Sequence, residues 1–437
     1  MTSALSFLVA ARRCEIDELE QLARTCELVQ ELSELVHRLQ RERGACNVHL
    51  ASAGQRFGAE LDERIAASAA AEVGVRDWLD GLEQREGALA GGVRLFTRIA
   101  VAVHALDQLP ALREAVRAQA CSAQEATRRY NRAVAALLAL VFEAADVAVD
   151  PAVSRPLVGL FNLMQGKEFA GQERAAGAAA FAAGRIGSEE MQQLVHLIES
   201  QEQCFERFEA FCADEVLTQW RALQATMPLS ELERLRRKLV AAAPAAALDG
   251  ALADVWFDCC SQRLDQIHEV EAHLATSLQQ ACERKIAATR AELEDQQAML
   301  EALRAQPDAP APLTVLVGGD PAAPGGEAGW EGGEGVLRGG DGLGPRLTRS
   351  ILDTLQAQSR RLQAMGDELA TVRATLDERK LIERAKGLLM AHQGLSEEEA
   401  YRLLRQTAMN QGRRLVDVAQ AVLAMAELLP GAVVKRP

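Results

Sequence analysis

From residue 1 to about residue 304, apolar side chains recur at helical spacing in segment after segment, and that regularity confines this part of the chain to packed helices. The composition agrees. Ala and Leu are abundant, runs of β-branched residues are scarce, and aromatics make up only 4% of the 437 residues, a balance that favours helix over sheet. The interruptions fall at turn formers: Gly91 and Gly92, the Asp150 and Pro151 pair, Gly184 to Gly187, Pro228, and the stretch from Pro244 to Gly250. Long helices with short connections predict antiparallel bundles, so the expected fold class is all-α.

At Ala305 the pattern stops. The 41 residues from there to Pro345 hold 12 Gly and 6 Pro, which leaves too little apolar material for a core. This stretch, 305–345, reads as a flexible linker between an N-terminal module, 1–304, and a C-terminal module, 346–437. Beyond it, Ile351, Met365 and Val372 repeat on one heptad position and Leu355, Leu362, Leu369 and Leu376 on the other, with Gln358 as the exception. The pattern suits a short coiled coil, hence a homodimer, and equally suits one amphipathic helix packed on its own domain. Two more helices follow, one opened by a capping box of Ser396 and Glu399, the other marked by Leu415, Val418, Ala419 and Val422. The C-terminal module is therefore expected to be a coiled-coil helix with a small three-helix domain.

Against 48 Lys and Arg stand 62 Asp and Glu, a net charge of −14. Such an excess excludes a chain that coats nucleic acid over its whole surface, so any nucleic-acid contact must be local. Nine cysteines without a C-x-x-C pair indicate a reducing compartment and argue against a structural zinc. The apolar stretch Ala4 to Ala11 lacks the basic flank of a signal peptide. Ala133 to Phe142 is about half of the roughly 20 residues that cross a bilayer. A cytoplasmic protein without membrane contact is expected. Enzyme chemistry has little support: the glycines from Gly318 to Gly344 have no strand or helix partner for a phosphate loop, and the seven histidines form no H-E-x-x-H motif. Cys46 and His49, one helical turn apart, read as packing rather than catalysis. No metal and no cofactor is expected.

Three arginines violate the hydrophobic pattern in the same way. Leu28, Leu32, Val36 and Leu39 form an apolar stripe whose continuation is Arg43, while Arg41 points about 160° away. In the helix after Pro156, the stripe of Leu160, Met164, Gly171 and Ala178 includes Arg174, with Lys167 close by. After Pro228, Leu229, Leu232, Leu235 and Leu239 share their face with Arg236. A buried guanidinium needs an anionic partner. That partner is either an internal carboxylate, with Glu42, Glu168 and Glu173 near enough in sequence, or a small planar anion held by bidentate guanidinium bonds.

The C-terminal module has its own local basic face. Residues 373 to 415 hold nine Lys and Arg against six Asp and Glu. On the first helix Leu381, Ala385, Leu388 and Leu389 share one side, and Arg379, Glu383, Lys386 and Met390 the other. On the second, Ala400, Leu403, Leu404, Thr407 and Ala408 form the inner face, leaving Arg402, Arg405 and Met409 outside. Exposed methionines beside arginines suit RNA loops, whose unstacked bases pack on apolar and guanidinium groups.

Both modules resemble known families. Glu378-Arg-Lys-Leu-Ile-Glu-Arg-Ala-Lys-Gly-Leu-Leu-Met390, followed by Glu399-Ala-Tyr401, Leu404-Arg405, Ala408-Met409 and Val418-Ala419, resembles the ANTAR domain over about 60 residues. That resemblance implies a small helical domain that binds RNA stem-loops and prevents transcription termination, with Arg379, Lys386 and Arg405 as the RNA contacts. Leu39-Gln-Arg-Glu-Arg-Gly44 and Lys167-Glu-Phe-Ala-Gly-Gln-Glu-Arg-Ala175 resemble the nitrate- and nitrite-sensing (NIT) domain, which implies paired four-helix bundles that bind nitrate or nitrite through arginines. Arg43 and Arg174 match its motifs; Arg236 is supported by its facing and approximate position.

The two together resemble the nitrate-responsive antiterminators of assimilation operons. The partners implied are nitrate or nitrite, leader RNA stem-loops, a second copy of the chain and, indirectly, the transcription elongation complex. The long linker favours occlusion and release, or control of dimerisation, over a rigid push. The competing reading is a small-anion sensor whose C-terminal helices bind a protein, as a dimerising signalling adaptor.

Overall fold

The computed structural model describes residues 4–83, 92–148, 150–241, 247–304, 345–395 and 397–428. The linker through residue 344, Gly91, residues 244–246 and Ser396 of the expected capping box lie outside the described residues, as do the side chains of Ile351, Leu355 and Gln358. Among the described residues the chain forms thirteen α-helices and no strand. They are α1 (Ala4–Ala51), α2 (Gly58–Glu83), α3 (Gly92–Asp107), α4 (Leu109–Arg117), α5 (Ala123–Val147), α6 (Pro151–Ala182), α7 (Ser188–Phe211), α8 (Asp214–Thr226), α9 (Leu229–Val240), α10 (Leu252–Arg304), α11 (Pro345–Gln393), α12 (Glu397–Gln411) and α13 (Leu415–Leu428). The fold is all-α, as the periodicity required.

The turns follow local chemistry. Asp150 caps α6 by accepting from the Ala152 amide at 2.9 Å, and Pro151 occupies the first turn, where its missing N–H costs nothing. This helix therefore begins before Pro156 rather than after it; Pro156 sits inside and forgoes a single backbone bond. Gly184, at φ +66°, lies just past the other end of α6, and its carbonyl accepts from the Leu248 amide at 2.8 Å.

The described residues divide into two compact units. One takes in the first part of α1 and the later parts of α10 and the early part of α11, from the spans Met1–Glu27 and Gln279–Gly366. Leu8, Ile16, Leu19 and Leu22 are buried there, and Arg12 pairs with Glu292, Arg290 with Glu20, and Arg361 with Glu15.

The other unit, from Leu28–Leu278 and Asp367–Pro437, is built around α6, whose residues are buried on nearly every side. Its glycines explain how so many neighbours reach it. A Cβ on Gly166 would lie 2.6 Å from the Phe205 ring, and one on Gly159 would lie 2.7 Å from Cys212 Sγ, so α7 packs on bare backbone. Gly177 lies directly under the indole of Trp256, itself fully buried beside Phe181. Each helical glycine costs about 1 kcal/mol relative to alanine, a loss offset here by close packing of large rings.

The C-terminal helices close a small core of Ala385, Leu389, Ala400, Leu404, Ala408, Val418 and Ala419. Two expectations need correction. Leu403, placed on the inner face, is 39% exposed, while Lys386, placed outside, is only 7% exposed. Lys386 turns back along α11 onto Glu383, one turn earlier, and its ammonium lies 5.9 Å from the Tyr401 ring. Along the expected heptad, Val372 and Leu376 are buried and Leu362 is exposed.

Gly177→Ala is expected to destabilise the protein by about 1–3 kcal/mol, because the rigid indole cannot yield to a methyl group. A thermal unfolding midpoint equal to that of the wild type would show the ring to be free to move.

Candidate functional site

Within two turns α6 carries Lys167, Glu168, Glu173 and Arg174, each no more than 4% exposed. Charges this deep need partners, and three of the four find an opposite charge on another helix. Lys167 pairs with Glu271 of α10, in a contact that is fully buried on both sides. Glu168 accepts from both terminal nitrogens of Arg43 of α1, at 2.5 and 3.1 Å. Glu173 accepts from Nε and Nη2 of Arg236 of α9, each at 2.7 Å, and from Gln201 at 2.6 Å.

Arg174 is different. Its Nη2 donates to the Gln40 carbonyl and its Nη1 to Ser261 Oγ, both at 2.9 Å, and its guanidinium lies 4.9 Å from the Phe257 ring. All of these are neutral partners. Burial and, after it, the positive charge of Arg43 bring its pKa down to about 10.

The structure brings Arg43 and Arg174 together. A Cβ on Gly44 would lie 2.6 Å from Arg174 Nη2, and one on Gly171 would lie 2.6 Å from Arg43 Nη2, so each guanidinium crosses the bare backbone of the other's helix. Asn131 of α5 accepts from Arg43 at 2.5 Å. Arg236 is held in a separate cluster with Glu173, Glu233 and Arg263.

Of the three carboxylates near enough in sequence, Glu168 and Glu173 are the internal partners, but Glu42 is not. One residue of helix separates its direction from that of Arg43 by about 100°, and it pairs instead with Arg113, Ser68 and Tyr130. The sequence reading missed Asn131, Ser261 and Phe257, since nothing in their own segments marks them. Gln40 does fall inside the motif that marks Arg43. His37 and His268, stacked with centroids 3.8 Å apart beside Lys167 and Glu271, were also missed.

The C-terminal candidates are engaged with this same unit. Arg379 donates to Gln165 of α6 at 3.1 Å and lies 4.4 Å from the Phe161 ring and 5.6 Å from Phe142. Lys380, next to it, pairs with Asp146 of α5 at 2.5 Å. Arg405 pairs with Glu199 of α7 and bonds His196 at 3.3 Å; the His196 ring also meets Tyr401 at 4.9 Å. Burial, and then the charge of Arg405, hold the His196 pKa below its ordinary value. Met409 remains 69% exposed and Met390 38%.

A pair of buried arginines facing each other between α1 and α6, with a small helical C-terminal module carrying Arg379, Lys386 and Arg405, is the arrangement of a helical sensor joined to a nucleic-acid-binding module. Comparison with known proteins agrees. The NIT family, nitrate and nitrite sensing, matches residues 34–279, and the ANTAR domain family matches residues 370–423. The nitrate regulatory protein of Klebsiella oxytoca is 36% identical over 431 residues, covering 97% of this chain and 96% of that one. The transcriptional regulatory protein PdtaR of Mycobacterium tuberculosis is 39% identical over 64 residues, 15% of this chain. The solved structure of the NasR transcription antiterminator matches with a TM-score of 0.58 and 33% identity, over 97% of this chain and 99% of that one. The chain belongs to the family of nitrate-responsive transcription antitermination regulators, with a NIT sensor and an ANTAR effector. Among the described residues no helix is long and apolar enough to cross a membrane, and no cluster of side chains could hold a metal ion.

Glu173→Ala would remove the buried carboxylate that Arg236 and Arg263 share, leaving Arg236 with the half-exposed Glu233 alone, and a loss on the order of 3–5 kcal/mol is expected in urea unfolding. A loss under about 1 kcal/mol would mean that solvent or another carboxylate takes its place.

Proposed function

We propose that nitrate or nitrite, bound at Arg43 and Arg174, controls whether Arg379 and Arg405 of the ANTAR domain are free to contact leader RNA hairpins. The observation that carries this reading is that sensor side chains engage both of these arginines: Gln165 and the Phe161 ring hold Arg379, and Glu199 and His196 hold Arg405. A guanidinium stacked on a phenyl ring and hydrogen-bonded to an amide is not available to a phosphate or a base. Lys386, the third candidate, is satisfied by Glu383 and supports the RNA surface from within its own domain.

The magnitudes suit a switch. A partly buried cation–π contact contributes about 0.5–2 kcal/mol. The Arg405–Glu199 pair, with side chains 31% and 42% exposed, adds about 1 kcal/mol or less. A ligand coupling of about 1–3 kcal/mol is enough to shift such a balance.

In this reading Arg43 and Arg174 make the direct contacts to the anion, and Arg236 neutralises Glu173 and so holds α6 in place. The basic surface is local, as the acidic chain requires. The chain works as a cytoplasmic regulator without catalytic chemistry of its own. The exposed Leu362 on α11 supports pairing with a second copy, so that two ANTAR domains meet two tandem hairpins and act on the elongation complex through the RNA.

Arg43→Ala and Arg174→Ala should each abolish calorimetric nitrate binding, while Arg41→Ala, on the outer side of α1, retains it; equal loss in all three would sink the assignment. Glu199→Lys should repel Arg405 and raise binding to a two-hairpin leader RNA without nitrate by about tenfold. Unchanged RNA affinity in that variant, with the fold intact, would end the occlusion reading.

A further inference from the structure

Of the two neighbouring arginines only Arg43 holds a carboxylate, Glu168, and the manner in which it is held bears on how an anion enters. Glu168 presents both oxygens to the terminal nitrogens of Arg43, the geometry a planar trigonal anion would adopt on the same edge. Its oxygens are fixed further by amides, Gln40 Nε2 on one and Gln172 Nε2 on the other, each at 2.8 Å. Arg43 is 1% exposed and Glu168 3%. On the backbone sides there is no room beside either guanidinium: even a methyl on Gly44 or Gly171 would come within 2.6 Å of a terminal nitrogen. An added anion of four heavy atoms cannot be accommodated there. An anion that takes the bidentate edge of Arg43 must therefore displace the group already on it, and the one planar, negatively charged group there is Glu168.

We propose that Glu168 is an internal surrogate for the ligand, a carboxylate that occupies the anion-binding edge of Arg43 and that nitrate displaces. The proposal rests on nitrate binding at the Arg43–Arg174 pair. Once moved off the fork, Glu168 remains in the same buried cluster, so the two guanidiniums, this carboxylate and a monovalent anion sum to zero charge; a divalent anion such as sulfate would overcompensate and is disfavoured. Glu168 thereby sets both affinity and selectivity. Nitrate affinity is reduced by the fraction of molecules in which the carboxylate holds the fork, and removing the competitor restores it.

The test is calorimetric titration of the full-length protein with sodium nitrate, with sodium chloride as the ionic control. Glu168→Gln, which removes the charge, is expected to bind nitrate at least tenfold more tightly than the wild type. Glu168→Asp, which keeps the charge but withdraws it by one methylene, is expected to tighten binding to a lesser degree and decides the matter if the glutamine variant fails to fold. Arg43→Ala, titrated in parallel, should show no binding. If Arg43→Ala loses binding while both Glu168 variants bind no more tightly than the wild type, displacement is wrong and the site assignment stands. If Arg43→Ala binds normally, both fall together.

Discussion

The charges of Lys167, Glu168, Glu173 and Arg174 on α6 govern the unit in which they lie, because all four are removed from water along one helix. Burying a charge without a partner costs several kcal/mol, so α6 can occupy only the register and rotation at which Glu271, Arg43 and Arg236 meet it. Those partners come from α10, α1 and α9. The apolar contacts of α6 alone would tolerate some sliding, since a helix with glycines at 159, 166, 171 and 177 presents smooth grooves to its neighbours. Ion pairing removes that freedom and, in doing so, leaves Arg174 as the cation without a carboxylate of its own.

The same helix also reaches the effector. Phe161 and Gln165, which hold Arg379, precede Glu168 by two turns and one turn. In a helix these positions lie along one side, so a change in how Glu168 is held acts within a turn of the seat of Arg379. Short range matters here because coupling through packed side chains needs an element with two discrete arrangements, and under the displacement proposed above Glu168 is that element.

Strong and weak electrostatics are distributed accordingly. Inside the sensor the pairs are bidentate and dry, as with Arg43 and Glu168 or Arg236 and Glu173. Toward the ANTAR domain Lys380 still meets a buried Asp146, but Arg405 with Glu199 and Arg402 with Glu189 are partly to largely exposed. Solvent screens the second class, so those contacts are the ones that separate first and that added salt weakens. In the proposed switch the outer set opens, while the buried pairs other than Arg43–Glu168 preserve the fold.

The sequence by itself determined the all-α class, the turn positions at Asp150 and Gly184, the inward facing of Arg43 and Arg174, and the apolar core of the C-terminal helices. Each of these follows from a local rule: a 3.6-residue repeat, a capping side chain, a glycine free to adopt positive φ. Even the errors were local, for the facing of Leu403 and Lys386 was read from an ideal helical angle, and a long side chain turns back along its helix when a carboxylate one turn away offers a partner. Tertiary structure alone decided which carboxylate belongs to which arginine. Glu42 is the nearest in sequence to Arg43, yet Glu168 is its partner, 125 residues away. It likewise decided that Asn131, Ser261 and Phe257 line the arginine pair, and that Gln165 and Glu199 engage the effector. Periodicity fixes the direction of a side chain about its own helix axis, but not the rotation and register of one helix against another, and a pair of charges on two helices depends on both.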